Sequence, residues 1–193
     1  MKAFAKKVIN YCCVVLVAPC GFLSFLEKKI LPGSEVIFSF FAQSFALVPG
    51  IIGVFLRRSY YYQTTSSCSL NCNIGFGTIL THREVIISPG VSIGNYGVIG
   101  SVRINSGCEI GSRVSITSGK KQHTLQADGT WSSFAHDSAK QLEIGENVWI
   151  GEGAIILADV SPKTLVGAGA VVAKTFGKGC VVAGNPAAKV GDL

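Results

Sequence analysis

The sequence predicts a parallel β-helix that carries an apolar helical region at its N-terminal end. Three observations support this prediction. Aliphatic residues recur every six positions in the second half of the chain, as in Ile93 and Ile99, or Ile144, Ile150 and Ile156. Glycine is abundant, with 23 residues among 193, which suits a chain that must turn after every short strand. The first 63 residues differ in kind, because they contain two long apolar stretches.

The six-residue period fits neither an α-helix nor an ordinary sheet. Side chains return to the same face every 3.6 residues in a helix and every two residues in a strand. A period of six is typical of a solenoid coil in which each short, flat strand points one aliphatic side chain inward. The period therefore predicts stacked turns around a narrow aliphatic core.

The repeats begin near Thr64 and are interrupted once. The polar stretch 119–141 breaks the period, so we expect a loop there that projects from the coil. A loop of this length inside a compact repeat is usually functional. The predicted domains are a helical region over 1–63 and a coil over 64–193. We expect the first inward positions at Ile74, Leu80, Ile86 or Ile87, Ile93, Ile99, Ile104, Ile110 and Ile116.

Two apolar stretches, 8–26 and 36–56, predict helices that associate with a membrane. Each is about long enough to cross a bilayer as a helix. Pro19 lies near the centre of the first stretch and Pro49 lies within the second, so we expect both helices to break. The net charge is +6, and many basic residues flank these stretches, which indicates a membrane surface rather than nucleic acid.

The order of the basic residues indicates how the helices meet the membrane. Lysines precede the first stretch, Lys28 and Lys29 lie between the two, and Arg57 and Arg58 follow the second. Basic residues favour the cytoplasmic side, whereas two full crossings would place Lys28 and Lys29 outside. We therefore expect helices that dip into the cytoplasmic leaflet or lie in its interface. Two true spans and a soluble helical subdomain remain alternatives.

The seven cysteines are an odd number, and three of them lie in the apolar N-terminal stretch. Cys68 and Cys72 are close in sequence, but no second pair completes a zinc site. We interpret all seven as free thiols of a protein that faces the cytosol.

Four sequence words carry a family resemblance. They are SGKKQH at 118–123, EIGENVWIGEGAIIL at 143–157, VGAGAVVAK at 166–174 and VVAGNPAAKV at 181–190. In their order, and in the long loop between the first two, they resemble the hexapeptide-repeat acyltransferases, especially the galactoside and maltose O-acetyltransferases and related polysaccharide acetyltransferases. The N-terminal region is more similar to membrane-associated acyltransferases of surface-polysaccharide synthesis.

The resemblance implies a left-handed parallel β-helix, assembled as a homotrimer with active sites between neighbouring subunits. It implies transfer of an acetyl group from acetyl-CoA to a sugar hydroxyl of a surface polysaccharide or of its lipid-linked precursor. The protein would act at the cytoplasmic side of the cell membrane, where the leaflet concentrates a lipid-linked acceptor. No metal and no nucleic acid is expected to take part.

Histidine suits the general base of this reaction, because its free pKa of about 6.5 lies near working pH. The resemblance places the catalytic histidine at His123, where the projecting loop begins. His82 has polar neighbours and is expected to line the acceptor site, to play a secondary role, or to pair with Glu84. His136, beside Asp137, is expected to be solvated. No cysteine or serine has the surroundings of a nucleophile, which favours direct transfer.

Six residues are expected at the coenzyme by resemblance. A cation is favourable near its phosphates, and main-chain N–H groups suit the amides of its pantetheine arm. Packing at a strand edge remains the alternative for the tryptophan, and a solvated face for the lysines. The six are Trp149, Gly151 and Glu152 beside the arm, Ala168 through its N–H, and Lys174 and Lys189 near the phosphates.

Two other functions stay open. N-acetylation of an amino sugar or another amine would depend less on His123, since an amine loses its proton more easily. A membrane-tethered β-helix scaffold without catalysis would not bind acetyl-CoA. A zinc site of the γ-carbonic-anhydrase kind is disfavoured, because it needs two closely spaced histidines, and the three present are 41 and 13 residues apart.

Overall fold

Short parallel strands form a coil with three faces, preceded by three helices. The computed structural model describes residues 2–118, 123–132 and 141–193. The helices are α1 (Lys2–Ile30), α2 (Val36–Ala46) and α3 (Gly50–Thr64). The strands are β1 (Ser67–Cys68), β2 (Asn73–Ile74), β3 (Ile79–Leu80), β4 (Ile86–Ile87), β5 (Ser92–Ile93), β6 (Val98–Ile99), β7 (Val102–Ile104), β8 (Glu109–Ile110), β9 (Ser115–Ile116), β10 (Leu142–Ile144), β11 (Trp149–Ile150), β12 (Ile155–Ile156), β13 (Leu165–Val166), β14 (Val171–Val172), β15 (Cys180–Ala183) and β16 (Ala188–Asp192).

The strands stack into three sheets, which we call faces A, B and C. Face A has the order β1-β4-β7-β10, face B has β16-β15-β13-β11-β8-β5-β2, and face C has β14-β12-β9-β6-β3. Each turn of the coil visits A, B and C in order, and strands of neighbouring turns pair in parallel. The final pair, β15 with β16, is antiparallel. The predicted parallel β-helix with an N-terminal helical region is confirmed.

One aliphatic side chain from each short strand fills the interior of the coil. Ile87, rather than Ile86, is the inward residue of β4, and it is 1% exposed. Strand β7 buries both Val102 and Ile104. The inward positions Ile74, Leu80, Ile93, Ile99, Ile104, Ile110 and Ile116 are confirmed as buried.

The second apolar stretch forms two helices, with the expected break at Pro49. Helix α2 ends at Ala46 and α3 begins at Gly50. A helix end leaves carbonyl groups without intrahelical donors. Arg57 supplies donors there, with Nη1 at 3.2 Å from the Phe45 carbonyl oxygen and 2.8 Å from that of Val48. Arg57 follows the apolar stretch in sequence, but its side chain is buried beneath this break.

The break expected at Pro19 is absent, and α1 runs without interruption from Lys2 to Ile30. A proline lacks the N–H that would bond the carbonyl one turn earlier, so the turn before it needs another donor. The carbonyl that loses its donor is that of Val15. Nε2 of Gln63 in α3 donates a 3.0 Å hydrogen bond to the carbonyl oxygen of the residue before it, Val14, so α3 contacts α1 next to this position.

Helix α1 is fastened to the rest of the protein near both of its ends. Asn10 accepts a hydrogen bond of 2.9 Å from Nε of Arg58, a second arginine that is buried rather than exposed. Glu27 accepts one of 2.6 Å from Nη2 of Arg83, at the start of the coil. From Phe4 to Ile30, α1 is long and apolar enough to cross a membrane, and an 18-residue window within it has a mean hydropathy of 2.0.

The helices expose many large apolar side chains, and we call the eleven named below the outer apolar surface. Each member is between 44% and 74% exposed. Exposed apolar surface of this extent usually marks an interaction with a membrane or another protein. Its members are Phe4, Val8, Val15, Leu16, Phe22 and Phe25 of α1, Val36 and Phe40 of α2, and Leu47, Ile51 and Ile52 at the break and in α3.

Candidate functional site

The projecting loop leaves the coil at the bend between faces C and A, which we call the C–A corner. Its beginning is held by Ser118, whose buried hydroxyl accepts a 2.9 Å hydrogen bond from the N–H of Ser101. Its end is held by Gln141, which donates 2.8 Å to the main-chain carbonyl of Glu84. The loop is thus anchored at both ends to this corner. The segments 119–122 and 133–140, including His136 and Asp137, lie outside the described residues.

The described part of the loop, 123–132, forms a small antiparallel hairpin. Leu125 pairs with Trp131, and the N–H of Gln126 donates 2.8 Å to the carbonyl of Thr130. Asp128 accepts hydrogen bonds from the hydroxyl and N–H of Thr130, which lower the pKa of Asp128. This hairpin was not predicted from sequence, although an Asp-Gly pair flanked by alternating apolar residues is a strong hairpin signal.

His123 lies at the base of this hairpin and is held by its opposite strand. Its Nδ1 lies 2.8 Å from the carbonyl oxygen of Ser132. A carbonyl oxygen accepts only, so Nδ1 carries the proton, and a neutral ring then has its lone pair on Nε2. The ring is exposed, so Nε2 can meet a substrate. This tautomer is the one that a general base requires.

His82 also lies at the C–A corner, in the first turn of the coil. Its Nδ1 is 2.7 Å from Oε2 of Glu35, a residue between α1 and α2. The other oxygen of Glu35 accepts 2.8 Å from the N–H of Arg83. Burial raises the pKa of Glu35, but the hydrogen bonds from His82 and Arg83 outweigh it and lower the pKa.

Three potential cation ligands lie together at this position. The ligand atoms of Glu35, His82 and Glu84 all lie within 4.8 Å of one another, and no other such group of three occurs among the described residues. Sequence predicted that His82 pairs with Glu84. Glu84 does lie close to His82, and the hydrogen bond of 2.7 Å from the His82 ring is to Glu35.

Gly151, Glu152 and Ala168 lie at the bend between faces B and C, in successive turns. A Cβ on Gly151 would stand 2.4 Å from the main-chain nitrogen of Ala168, so the close approach of the next turn requires glycine there. The N–H of Ala168 has no acceptor among the described residues, and Ala168 is an exposed residue. Glu152 forms an exposed ion pair of 2.8 Å with Arg113. Trp149 points outward from face B and is 58% exposed.

The two lysines expected near phosphates lie in different surroundings. Lys174 is exposed at the far end of face C from Ala168, with Nζ 5.5 Å from the ring centroid of Phe176. Lys189 lies on β16, where Nζ is 2.6 Å from Oδ1 of Asp192, and this hydrogen bond raises the pKa of Lys189. Lys174 is therefore the better placed of the two to meet an anion.

Comparison with known proteins finds structural relatives of this fold. No protein-family model matches the chain. Among solved structures it is similar to a maltose O-acetyltransferase from Clostridium difficile 630, at 17% identity over 89% of this chain and 88% of that one, with a TM-score of 0.68. It is similar to a galactoside acetyltransferase in complex with coenzyme A, at 18% identity over 82% and 80%, with a TM-score of 0.63.

A third solved structure is a hexapeptide-repeat-containing acetyltransferase from Vibrio cholerae O1 biovar eltor, complexed with acetyl coenzyme A. It is 17% identical over 84% of this chain and 91% of that one, with a TM-score of 0.57. At such identities the likeness concerns the fold. The chain shares the hexapeptide-repeat β-helix of these acetyltransferases.

Proposed function

We propose that this protein is an acetyl-CoA-dependent O-acetyltransferase that acts on a sugar hydroxyl of a surface polysaccharide or of its lipid-linked precursor. The observation that carries the proposal is the hydrogen bond from Nδ1 of His123 to the carbonyl of Ser132, which leaves Nε2 as the basic nitrogen. The order of the four sequence words supports it. So does the occurrence of the same fold in acetyltransferases solved with coenzyme A or acetyl coenzyme A.

His123 acts in both halves of the reaction. Its Nε2 takes the proton of the acceptor hydroxyl while that oxygen attacks the thioester carbonyl. The carbonyl of Ser132 stabilises the ring cation through Nδ1–H. His123 then returns the proton to the departing thiolate of coenzyme A. The acetyl group passes directly to the sugar, and the protein forms no covalent intermediate.

The coenzyme lies along the edge that contains Trp149, Gly151, Glu152 and Ala168. The N–H of Ala168, which has no acceptor among the described residues, donates to an amide carbonyl of the pantetheine arm. Lys174 meets the phosphates, and Lys189 does so in exchange for its contact with Asp192. Assembly as a homotrimer covers the exposed apolar side chains of faces B and C and places each site between two subunits. These side chains are Trp149, Val98 and Ile155.

We place the protein at the cytoplasmic side of the cell membrane, with α1 in the plane of the interface. The polar edge of α1 is tied to buried arginines by Asn10 and Glu27, and a crossing would break these contacts. The outer apolar surface faces the lipid. Lys28 and Lys29 at the end of α1 remain exposed on the cytoplasmic side, where they favour anionic headgroups.

Binding and product analysis test the proposed reaction. We expect the purified protein to bind acetyl-CoA in calorimetry, because the coenzyme edge is preformed. We expect mass spectrometry of surface glycan to find O-acetyl groups that a strain lacking the protein does not make. A folded protein that gives no heat with acetyl-CoA would favour the scaffold alternative. Acetyl groups on nitrogen would favour the N-acetyltransferase.

Substitutions on the outer apolar surface test the membrane contact. Deletion of 1–63 is unsuitable, since Tyr61 of α3 is buried and its hydroxyl accepts 3.1 Å from the N–H of Leu80 in the coil. We expect Phe22→Ser with Phe25→Ser to weaken binding to anionic vesicles at least tenfold, because burying each ring contributes about 1.5–3 kcal/mol. Flotation with vesicles measures the effect.

The matched control removes exposed apolar side chains from the coil instead. Leu125→Ser with Leu193→Ser changes residues that are 62% and 72% exposed and lie outside both the helices and the proposed trimer contact. This pair should leave vesicle binding unchanged. The in-plane arrangement would be contradicted if both double variants lost vesicle binding equally. It would also be contradicted if the phenylalanine variant bound vesicles as well as the wild type does.

A further inference from the structure

We propose that a cleft beside His82 binds the sugar of a lipid-linked acceptor, whose apolar tail runs over α2 into the membrane. This inference rests on the proposed function, since it names the site at which that acceptor is held. We call this site the His82 cleft. Its lining residues are Gly33, Glu35, Val36, Ser39, Phe40, Gln43, Thr81 and His82.

The polar part of the His82 cleft matches a hydroxyl-rich ring. Its volume of about 620 Å³ lies within the range of about 300–1,000 Å³ that is usual for small-molecule pockets. Ser39, Thr81 and Gln43 offer hydroxyl and amide groups that both donate and accept hydrogen bonds. The Glu35 carboxylate accepts from hydroxyl groups and repels phosphate, and Glu84 adds to that repulsion. The cleft therefore favours an uncharged sugar over its phosphate linkage.

The apolar part of the His82 cleft leads to the outer apolar surface. Val36 and Phe40 are one helical turn apart on α2, and they are 74% and 64% exposed. Because these two side chains also line the cleft, a lipid tail can pack on them while its sugar lies in the polar part. The start of α2 is fixed, because Glu27 accepts 2.9 Å from the N–H of Ile37 and 3.1 Å from that of Phe38. The cleft is therefore preformed, which reduces the entropy lost on binding.

The His82 cleft lies at the foot of the loop that carries His123. Both are at the C–A corner, His82 in the first turn and the loop after the third. Neighbouring strands are about 4.8 Å apart, so the two levels differ by about 10 Å. Gln141 at the end of the loop bonds to the carbonyl of Glu84. A glycan held at the cleft can extend along this corner toward His123.

Photo-crosslinking tests the location with a defined probe. The probe is an octyl glucoside with a diazirine in its tail, added below its micelle concentration to the full-length protein. We expect labelled peptides from 33–43 and 79–84, and we expect excess methyl glucoside to reduce the labelling. Gln43→Ala should weaken labelling about fivefold to tenfold through the lost hydrogen bonds. Gln126→Ala, an exposed glutamine of the hairpin, is the control that should label like the wild type.

Three results from labelling and metal binding would overturn the proposal. They are labelling elsewhere on the protein, labelling that methyl glucoside does not reduce, and tight Zn²⁺ binding that Glu84→Gln abolishes, which would make this a cation site. Acetyl transfer to a lipid-linked acceptor with an unchanged KM in Gln43→Ala would also reject the cleft and leave the proposed function intact. Specific labelling of the cleft without any acetyl transfer would instead keep the cleft and reject the function.

Discussion

Replacing His123 with alanine should lower kcat for acetyl transfer by about 10²- to 10⁴-fold, the usual contribution of a positioned general base. The acceptor hydroxyl is a poor nucleophile until its proton is removed. Nε2 of His123 is oriented for that step by the 2.8 Å bond from Nδ1 to Ser132. Binding of acetyl-CoA should persist, because the coenzyme edge belongs to a different part of the coil. Single-turnover kinetics with calorimetry of the same variant separate the two effects.

A second substitution distinguishes a base from a structural residue. His123→Asn keeps an N–H donor for the Ser132 carbonyl and removes the basic nitrogen, so it should be as slow as the alanine variant. Ser132→Ala keeps the carbonyl and removes only the hydroxyl, which accepts 2.8 Å from the N–H of Thr124. The kcat of Ser132→Ala should stay within about tenfold of the wild-type kcat, because the loss of one neutral hydrogen bond costs no more than that. Recovery of the rate by asparagine would assign His123 a positioning role.

The coil could be predicted from sequence because its demands are local and repeated. Each short strand needs one inward aliphatic residue, and Ile93 and Ile99 reveal that spacing directly. The helical region was harder to predict, because buried charge looks the same in sequence as exposed charge. In sequence, Arg57 and Arg58 resemble a basic flank of a membrane segment. In the structure, Arg57 donates to the carbonyl of Val48 and Arg58 donates to Asn10, both inside the protein. Tertiary packing decided their role.

The candidate site could be predicted where a local sequence motif marks it, and not where tertiary packing forms it. His123 stands in a sequence word, so its position was found before its geometry. Its partner is a main-chain carbonyl, at Ser132, and a carbonyl has no residue signature. His82 was expected beside its sequence neighbour Glu84, but it bonds to Glu35, which is 47 residues away. That contact depends on how the helices pack on the first turn, which the six-residue period does not encode.

Arg83→Met should lower the free energy of unfolding by about 3–5 kcal/mol, the usual effect of removing one partner of a buried ion pair. Nη2 of Arg83 lies 2.6 Å from Glu27, and its guanidinium carbon lies 5.0 Å from the ring centroid of Phe38. Nη2 also bonds to the carbonyl and hydroxyl of Ser24. Methionine fills similar volume but leaves the Glu27 carboxylate buried without its cation. Chemical denaturation followed by circular dichroism measures the loss.

The pH dependence of stability tests the ion pair of Glu27 and Arg83 independently. Burial alone would raise the pKa of Glu27, but hydrogen bonds from the Ile37 N–H, Arg83, Ser34 and the Phe38 N–H outweigh it and lower the pKa to about 2. A carboxyl whose pKa falls from 4.5 on folding stabilises the protein above pH 4.5, and this stabilisation is lost as the pH falls toward 2. The free energy of unfolding of the wild type should therefore decrease as the pH falls from 4.5 to 2.

The double variant Glu27→Gln with Arg83→Met determines whether the loss comes from the stranded charge. Glutamine removes the buried charge and keeps one acceptor oxygen, which can serve the N–H of Ile37 or that of Phe38 but not both. The lost neutral hydrogen bond costs less than a stranded carboxylate, so the double variant should be more stable than Arg83→Met alone. Its stability should also change less between pH 4.5 and pH 2 than that of the wild type. A double variant no more stable than Arg83→Met would show that lost packing over Phe38, rather than unpaired charge, dominates at this junction of helices and coil.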